Sequence, residues 1–526
     1  MKRLAGYGAV LALAFPLATA LGQVTTSQYD NLRTGATLKE NILTPQNVNA
    51  RQFGKLGAFK VDGAVYAQPL FVPAVEIPGK GMHNVLYVAT EHDSVYAFDA
   101  ERPGDPPLWQ VSFLDRKRSL TTVPTRDTQC PFIQPEVGTT STPVIDLKTG
   151  TLYVLARTMA DPAFGDKAYF QHLHALAITT GVEKFGGPKL ISASVPGKGD
   201  GSSNGQVPFD PLRENPRAGL LLVNGTVYLT WASSCDLDPY HGWVMAYDAE
   251  TLAQKAVLNV TPDGTEGGIW ASDTGPAADP NGNVYVPTGN GTFDAAAGGR
   301  DYGDSVLKLA LDGSSLALRD YFTPYDQARL SNADADLGSS GPLLLPDRPG
   351  SHHHLLLQPS KGSQIYVIDR DQMGKFRPDG DAIIQRIRMA GGGYGAMAYW
   401  NYHVFFACDN DSLRDYAVTN SEDQLILNKT SDLRFANPGA SPSVSANGTR
   451  NAIVWAIATK TWNGPSQPAV LYAFNATNIS QPIYSSEQNA ARDRAAMATR
   501  FVIPVVVKGR IYFSARGEVE VYGLLQ

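Results

Sequence analysis

Residues 84–99 read Asn-Val-Leu-Tyr-Val-Ala-Thr-Glu-His-Asp-Ser-Val-Tyr-Ala-Phe-Asp. Residues 85–88 and 95–98 are runs of β-branched, aliphatic and aromatic side chains, and the polar turn Glu91-His92-Asp93-Ser94 separates them, which is the pattern of a β-hairpin. Equivalent pairs follow at 151–155 with 173–176, 226–229 with 243–248, 283–286 with 305–309 and 355–358 with 364–369. Three more lie at 404–407 with 413–417, 452–455 with 470–474, and 510–513 with 519–522. Each pair is preceded by a third short apolar strand, such as 68–72 or 142–145. The recurrence predicts an all-β chain, an eight-bladed β-propeller whose repeats carry their excess length in loops. The eighth repeat stops one strand short, while residues 53–61 form a lone strand ahead of the first. That N-terminal strand is expected to close the last blade and so remove an exposed edge.

Bulk properties agree with this reading. Hydrophobic residues make up 43% of the chain and charged residues 18%, ordinary values for a globular protein, and 50 Gly with 35 Pro point to many tight turns. The net charge of −6 disfavours a nucleic-acid partner, which calls for a basic stripe. Lys2 and Arg3, an apolar stretch at 4–17 and small residues at Ala18, Ala20 and Gly22 form an export signal, so residues 1–22 are expected to be removed and 23–526 to form one propeller. No later stretch is long and apolar enough for a membrane span. The expected location is therefore periplasmic or secreted, where Cys130, Cys235 and Cys408 can form at most one internal bridge and leave one thiol. Their scatter has no metal-site spacing.

The long connections fall on one side of the repeat scaffold. Segments 115–141, 156–171, 194–218, 230–242, 261–274, 288–304, 321–340 and 459–468 all join strands at the same face, whereas the turns of the other face, such as Asn224-Gly225, are short. Insertions concentrated on one face build a binding surface. The candidate ligand-binding residues there are Trp231, Tyr240, His241, Glu266, Trp270, Asp273, Ser339, Ser340 and His92. Aromatic platforms beside carboxylates, amides and hydroxyls suit a small polar organic ligand, a glycan included. Capping of strands and packing of loops would employ the same residue types, and His92 serves equally as a turn residue. Asp334 and Asp336, with Asp301 and Asp304, supply oxygens of the kind Ca²⁺ takes, though without EF-hand spacing. Lys361, Arg217, Arg492 and Arg500 fall at mouth-side positions where an anionic group can meet them. Motifs for hydrolase or nucleotide chemistry are missing.

The repeat Leu-Tyr-Val-Ala followed by Val-Tyr-Ala-Phe-Asp-Ala resembles the pyrroloquinoline-quinone-type repeat of the quinoprotein alcohol dehydrogenase-like superfamily. The stretches VYAQPLFVP (65–73), ATEHDSVYAFDA (89–100), EGGIWASDTGPAADPNGN (266–283) and DLGSSGPLLLPD (336–347) resemble a group of exported bacterial propellers of that superfamily without an established activity. The resemblance covers essentially the whole mature chain. It implies a quinone held on the propeller axis between a Trp, for which Trp270 is the candidate, and a disulfide of adjacent cysteines, beside Ca²⁺ or a lanthanide and a catalytic Asp. The chain departs from that pattern, since no two of its cysteines are adjacent. Three functions are therefore expected in this order: an exported binder of a polar ligand, a quinone-dependent dehydrogenase with a divergent cofactor site, and a scaffold presenting the loop face to another exported protein.

Overall fold

The computed structural model describes residues 22–115, 119–160, 167–419, 423–460 and 467–525. The expected signal segment lies outside them except for Gly22. Among the described residues no helix is long and apolar enough to cross a membrane.

Eight antiparallel sheets form a ring, and the opening hairpin supplies the middle of the first. Blade 1 runs Leu70–Ile77, Gly81–Ala89, Ser94–Asp99 and Trp109–Ser112, with Val85 opposite Asp99, Tyr87 opposite Ala97 and Ala89 opposite Val95. Each blade is sandwiched between two others, so its middle strands are covered on both faces. That is why Val85 to Val88 and Val95 to Phe98 are all buried, where a sheet with one wet face would show polar alternation.

The ring closes as expected. Phe53–Ala64 runs antiparallel to Arg516–Leu524 at the outside of blade 8, pairing Phe53 with Leu524 and Phe59 with Val519. Phe53 is fully buried, its ring 4.8 Å from that of Tyr484 and 5.6 Å from that of Trp455 in blade 7. One strand thus ties the two ends of the chain to the last interblade core.

The segment before that strand does more than its polar composition suggests. Residues 24–35 thread along the axis and meet the innermost strand of every blade. Val24 exchanges backbone hydrogen bonds with Phe71 of blade 1, and the carbonyl of Thr25 accepts from Ile145 of blade 2. Asn31 Nδ2 donates to the Leu222 carbonyl of blade 3, while the carbonyls of Asn31, Leu32, Thr34 and Gly35 accept from Ala278, Leu344, Tyr399 and Val444 of blades 4 to 7. The Tyr29 hydroxyl accepts from Val506 of blade 8 at 2.7 Å. An innermost strand has an edge with no sheet neighbour, and this axial strap satisfies the donors and acceptors left there. Ala36–Thr37 continues it as a short parallel pairing with blade 7.

Blade 2 departs from the sequence reading. Segments 115–141 and 156–171 are expected as loops, yet Thr151–Ala160 and Tyr169–Ala177 extend as one long hairpin. Leu120–Pro124 adds a further strand along its far end. Residues 151 to 159 are all buried, so the extension is covered on both sides by the mouth-side loops.

Candidate functional site

A cavity of about 380 Å³ opens at the axis, within the size range of small-molecule sites. Segments 115–141, 194–218, 230–242, 261–274 and 321–340 all contribute to its wall, so the long loops do converge on one mouth. Five aromatic side chains, Tyr66, Phe132, Trp270, Tyr394 and Phe501, line the wall among polar and charged residues.

Trp270 is seated by two glycines. A β-carbon on Gly289 would lie 3.1 Å from the indole and 2.3 Å from Asp336 Oδ1, and one on Gly268 would lie 3.3 Å from Nε1. The Gly267-Gly268 pair leaves room for the side chains of Val260, Thr261, Tyr240 and Trp270. Cys130 and Cys235, 105 residues apart, form a disulfide that lines the same cavity, and Cys408 is the buried thiol left over. The bridge joins loops of the neighbouring blades 2 and 3.

Charge is divided between two sides of the cavity. On one side the Arg217 guanidinium lies 4.8 Å from the Phe501 ring and that of Arg500 lies 3.9 Å from the Phe132 ring, both in cation–π range. On the other, Asp236, Asp334 and Asp336 line the wall with Lys361 among them. Lys361 Nζ bonds Asp334 Oδ1, and it reaches Asp336 Oδ2 at 3.2 Å. Burial, the largest single influence on the lysine, lowers its pKa, but the carboxylates of Asp336 and Asp334 together raise it above the ordinary value. Asp236 is pushed up to about 6, first by desolvation and then by the charge of Asp336. It accepts from the Tyr240 hydroxyl at 3.1 Å.

The expected site residues divide accordingly. Trp270, Ser339, Asp334 and Asp336 line the cavity. Tyr240 stands behind Asp236, and Glu266, pushed up to about 7 by desolvation and by Asp238 and Asp236, belongs to the same acidic side without lining it. Ser339 and Ser340 spend their hydroxyls on the carbonyls of Gly393 and Gly395, each at 2.6 Å. Trp231 is core, fully buried with Nε1 donating to Gln171, because the strand that carries it is covered on both faces. His241 clamps loops, its ring nitrogens 2.9 Å from Thr261 Oγ1 and 2.8 Å from the Asp200 carbonyl. His92 bonds Glu136 at 2.7 Å away from the cavity wall. Asp301 accepts from the Asp263 backbone and Asp304 from that of Leu337, so neither joins Asp334 and Asp336. Arg492 pairs with Asp493 and holds the carbonyls of Ala50 and Phe53 at the rim of blade 8. The disulfide, Asp236 and Tyr394 were not among the expected site residues.

Asp273 lies deeper than expected. Beyond the cavity a small void is lined by Gln68, Arg217, Asp273 and Phe501 among others, and the axial strap bounds it, with Gln28 N–H donating to Gln68 and Ser27 Oγ to the Asp273 carbonyl. The Asp273 carboxyl accepts from Ser441 Oγ and lies 3.6 Å from Arg217. Desolvation raises its pKa from 3.8 to about 7 despite the arginine. A raised carboxyl pKa means that the folded state holds the proton more tightly, so stability falls as pH rises from about 4 to 7 and that contribution is gone above 7. The shift corresponds to about 4 kcal/mol at most. Urea denaturation at pH 4.5 and pH 8 should show Asp273→Asn gaining stability relative to the wild type as pH rises; parallel pH profiles would contradict the assignment.

Neither a protein-family model nor a curated protein matches the sequence. Solved structures do. The quinohemoprotein alcohol dehydrogenase of Comamonas testosteroni superposes with a TM-score of 0.60 at 14% identity, over 95% of this chain and 80% of that one. The chain has the quinoprotein alcohol dehydrogenase fold. A quinohemoprotein alcohol dehydrogenase of Pseudomonas putida HK5 gives 0.61 at 14% identity over 96% and 80%. A europium-containing methanol dehydrogenase gives 0.58 at 14% identity over 96% and 98%.

The organic cofactor and the metal that this fold carries elsewhere fare differently against the residues present. A planar quinone fits the chemistry of the wall: an indole, further aromatic rings, a disulfide, and guanidinium groups for its carboxylates. A divalent metal does not. Lys361 already pairs with both Asp334 and Asp336, and among the described residues no three His, Cys, Asp or Glu side chains group as metal ligands.

Proposed function

We propose that the axial cavity binds a planar aromatic ligand bearing anionic groups, and that pyrroloquinoline quinone is the compound its wall suits best. The observation that carries this reading is that one cavity is lined at once by Trp270, the Cys130–Cys235 disulfide, Arg217, Arg500 and Lys361. An aromatic wall accepts a flat ring system, and guanidinium groups already stacked on Phe132 and Phe501 lose little freedom on meeting carboxylates. When bound, the quinone would supply two-electron redox chemistry. The chain's own part is to hold it against Trp270 and to present Asp236, a lining carboxyl that burial pushes up to about 6. The protein is proposed to act in the periplasm or exterior; a ligand of glycan type and a scaffold that presents the loop face to another exported protein are the alternatives.

Titration of the purified protein with pyrroloquinoline quinone in EDTA tests the proposal, with mono- and disaccharides as the competing arm. Binding at a hundredfold excess over Kd should add about 2.7 kcal/mol of stability and raise Tm. Stabilisation by saccharides and not by the quinone would replace the reading with the glycan one. Oxidation of alcohols by the loaded protein, followed by dye reduction, decides whether binding serves catalysis.

A further inference from the structure

We infer that Lys361 is the built-in cation of this site, standing between Asp334 and Asp336 where a divalent metal would otherwise sit, so that the cavity takes its ligand without a metal ion. The second half of the statement rests on the ligand reading above; the first stands on geometry alone. Asp336 is almost fully buried, and it is fixed by two contacts to its carboxylate and one to its main chain. Oδ1 accepts the Asn290 backbone N–H at 3.0 Å, Oδ2 faces Lys361 Nζ at 3.2 Å, and the Asp336 carbonyl accepts the Lys361 backbone N–H at 3.1 Å. Asn290 also donates through Nδ2 to Asp334 Oδ1 at 3.0 Å, and its own side-chain oxygen is buried without a hydrogen-bond partner.

Two carboxylates beside an amide whose oxygen is buried and unpartnered offer hard donors of the sort Ca²⁺ and lanthanides select. The cation they hold is an ammonium, tethered by both its side chain and its main chain. An ammonium in contact with both carboxylates repels an incoming divalent ion and uses the oxygens it needs. A covalently attached cation cannot be chelated away, so ligand binding would be indifferent to EDTA.

Removing the ammonium should turn the cluster into a metal site. Terbium is the probe, because its emission is sensitised by a nearby indole and Trp270 packs on the same glycine as Asp336. The wild-type mature chain is expected to show no saturable terbium emission. Lys361→Ala is expected to bind one terbium ion at least tenfold more tightly than wild type, with Ca²⁺ competing, and Lys361→Ala/Asp336→Asn to lose it again. Circular dichroism on each variant verifies the fold, and Lys361→Gln, which keeps the side chain's bulk, serves if the alanine variant does not fold. Stoichiometric terbium binding by the wild type would overturn the inference. So would failure of both lysine variants to gain it, since the position would then not be a cation's place. If the variants gain terbium while the wild type ignores pyrroloquinoline quinone, the ligand reading falls and the role of Lys361 stands.

Discussion

Replacing Arg33 with alanine is expected to destabilise the protein by about 3–5 kcal/mol, although Arg33 does not line the cavity and lies in a segment with no sheet-like pattern. Its side chain is 1% exposed. Nε donates to the Pro276 carbonyl at 3.0 Å, Nη1 to Thr26 Oγ1 and the Ser27 carbonyl at 2.8 Å each, and Nη2 to the Leu220 carbonyl at 3.3 Å. Desolvation lowers its pKa to about 10, so it stays charged at neutral pH. Alanine would leave those buried acceptors without a donor and cost about 1–3 kcal/mol for each that water does not reach. Because the strap bonds the inner strand of every blade, the loss should be felt by the whole ring. Urea denaturation measures it, and a change below about 1 kcal/mol would mean that the strap is a passive passenger.

The second large effect belongs to the cavity. Trp270→Ala is expected to weaken binding of pyrroloquinoline quinone by roughly 30–150-fold, which corresponds to about 2–3 kcal/mol for the loss of one buried aromatic platform. The fold should survive, because Trp270 lies in a mouth-side loop and is only partly buried. Calorimetric titration of wild type and variant supplies the comparison. An unchanged Kd would move the ligand off the indole and take the quinone reading with it.

What could be read from the chain follows the range of the forces involved. The blades were legible because a strand covered on both faces needs its apolar residues side by side, and runs such as 85–88 and 95–98 show this over four residues. The closing strand was legible because 53–61 had no partner nearby and blade 8 lacked an edge. The strap was not, since Asn31, Leu32, Thr34 and Gly35 act through main-chain carbonyls, which leave no mark on residue type. Leu120–Pro124 was counted as loop because it lies inside the long connection 115–141 and belongs to none of the repeat pairs.

The site was legible in outline only. Loop length located the mouth, and the Gly-Gly-Ile-Trp stretch singled out Trp270. Trp231 and His241 were drawn in by their chemistry, but backbone direction turns one into the interblade core and the other onto Asp200 and Thr261. The pairing of Cys130 with Cys235 spans two blades and has no local signature. Lys361 was legible as a mouth-side cation, but its pairing with Asp334 and Asp336, 27 and 25 residues away, was not.

The crystal structure of the protein grown with pyrroloquinoline quinone and EDTA is the most direct test of the cavity as a ligand site. Planar density against the Trp270 indole, with carboxylates at Arg217 or Arg500 and Lys361 still on Asp336, is the expected result. A cavity holding only solvent at saturating quinone, or a metal ion between Asp334 and Asp336, would contradict it.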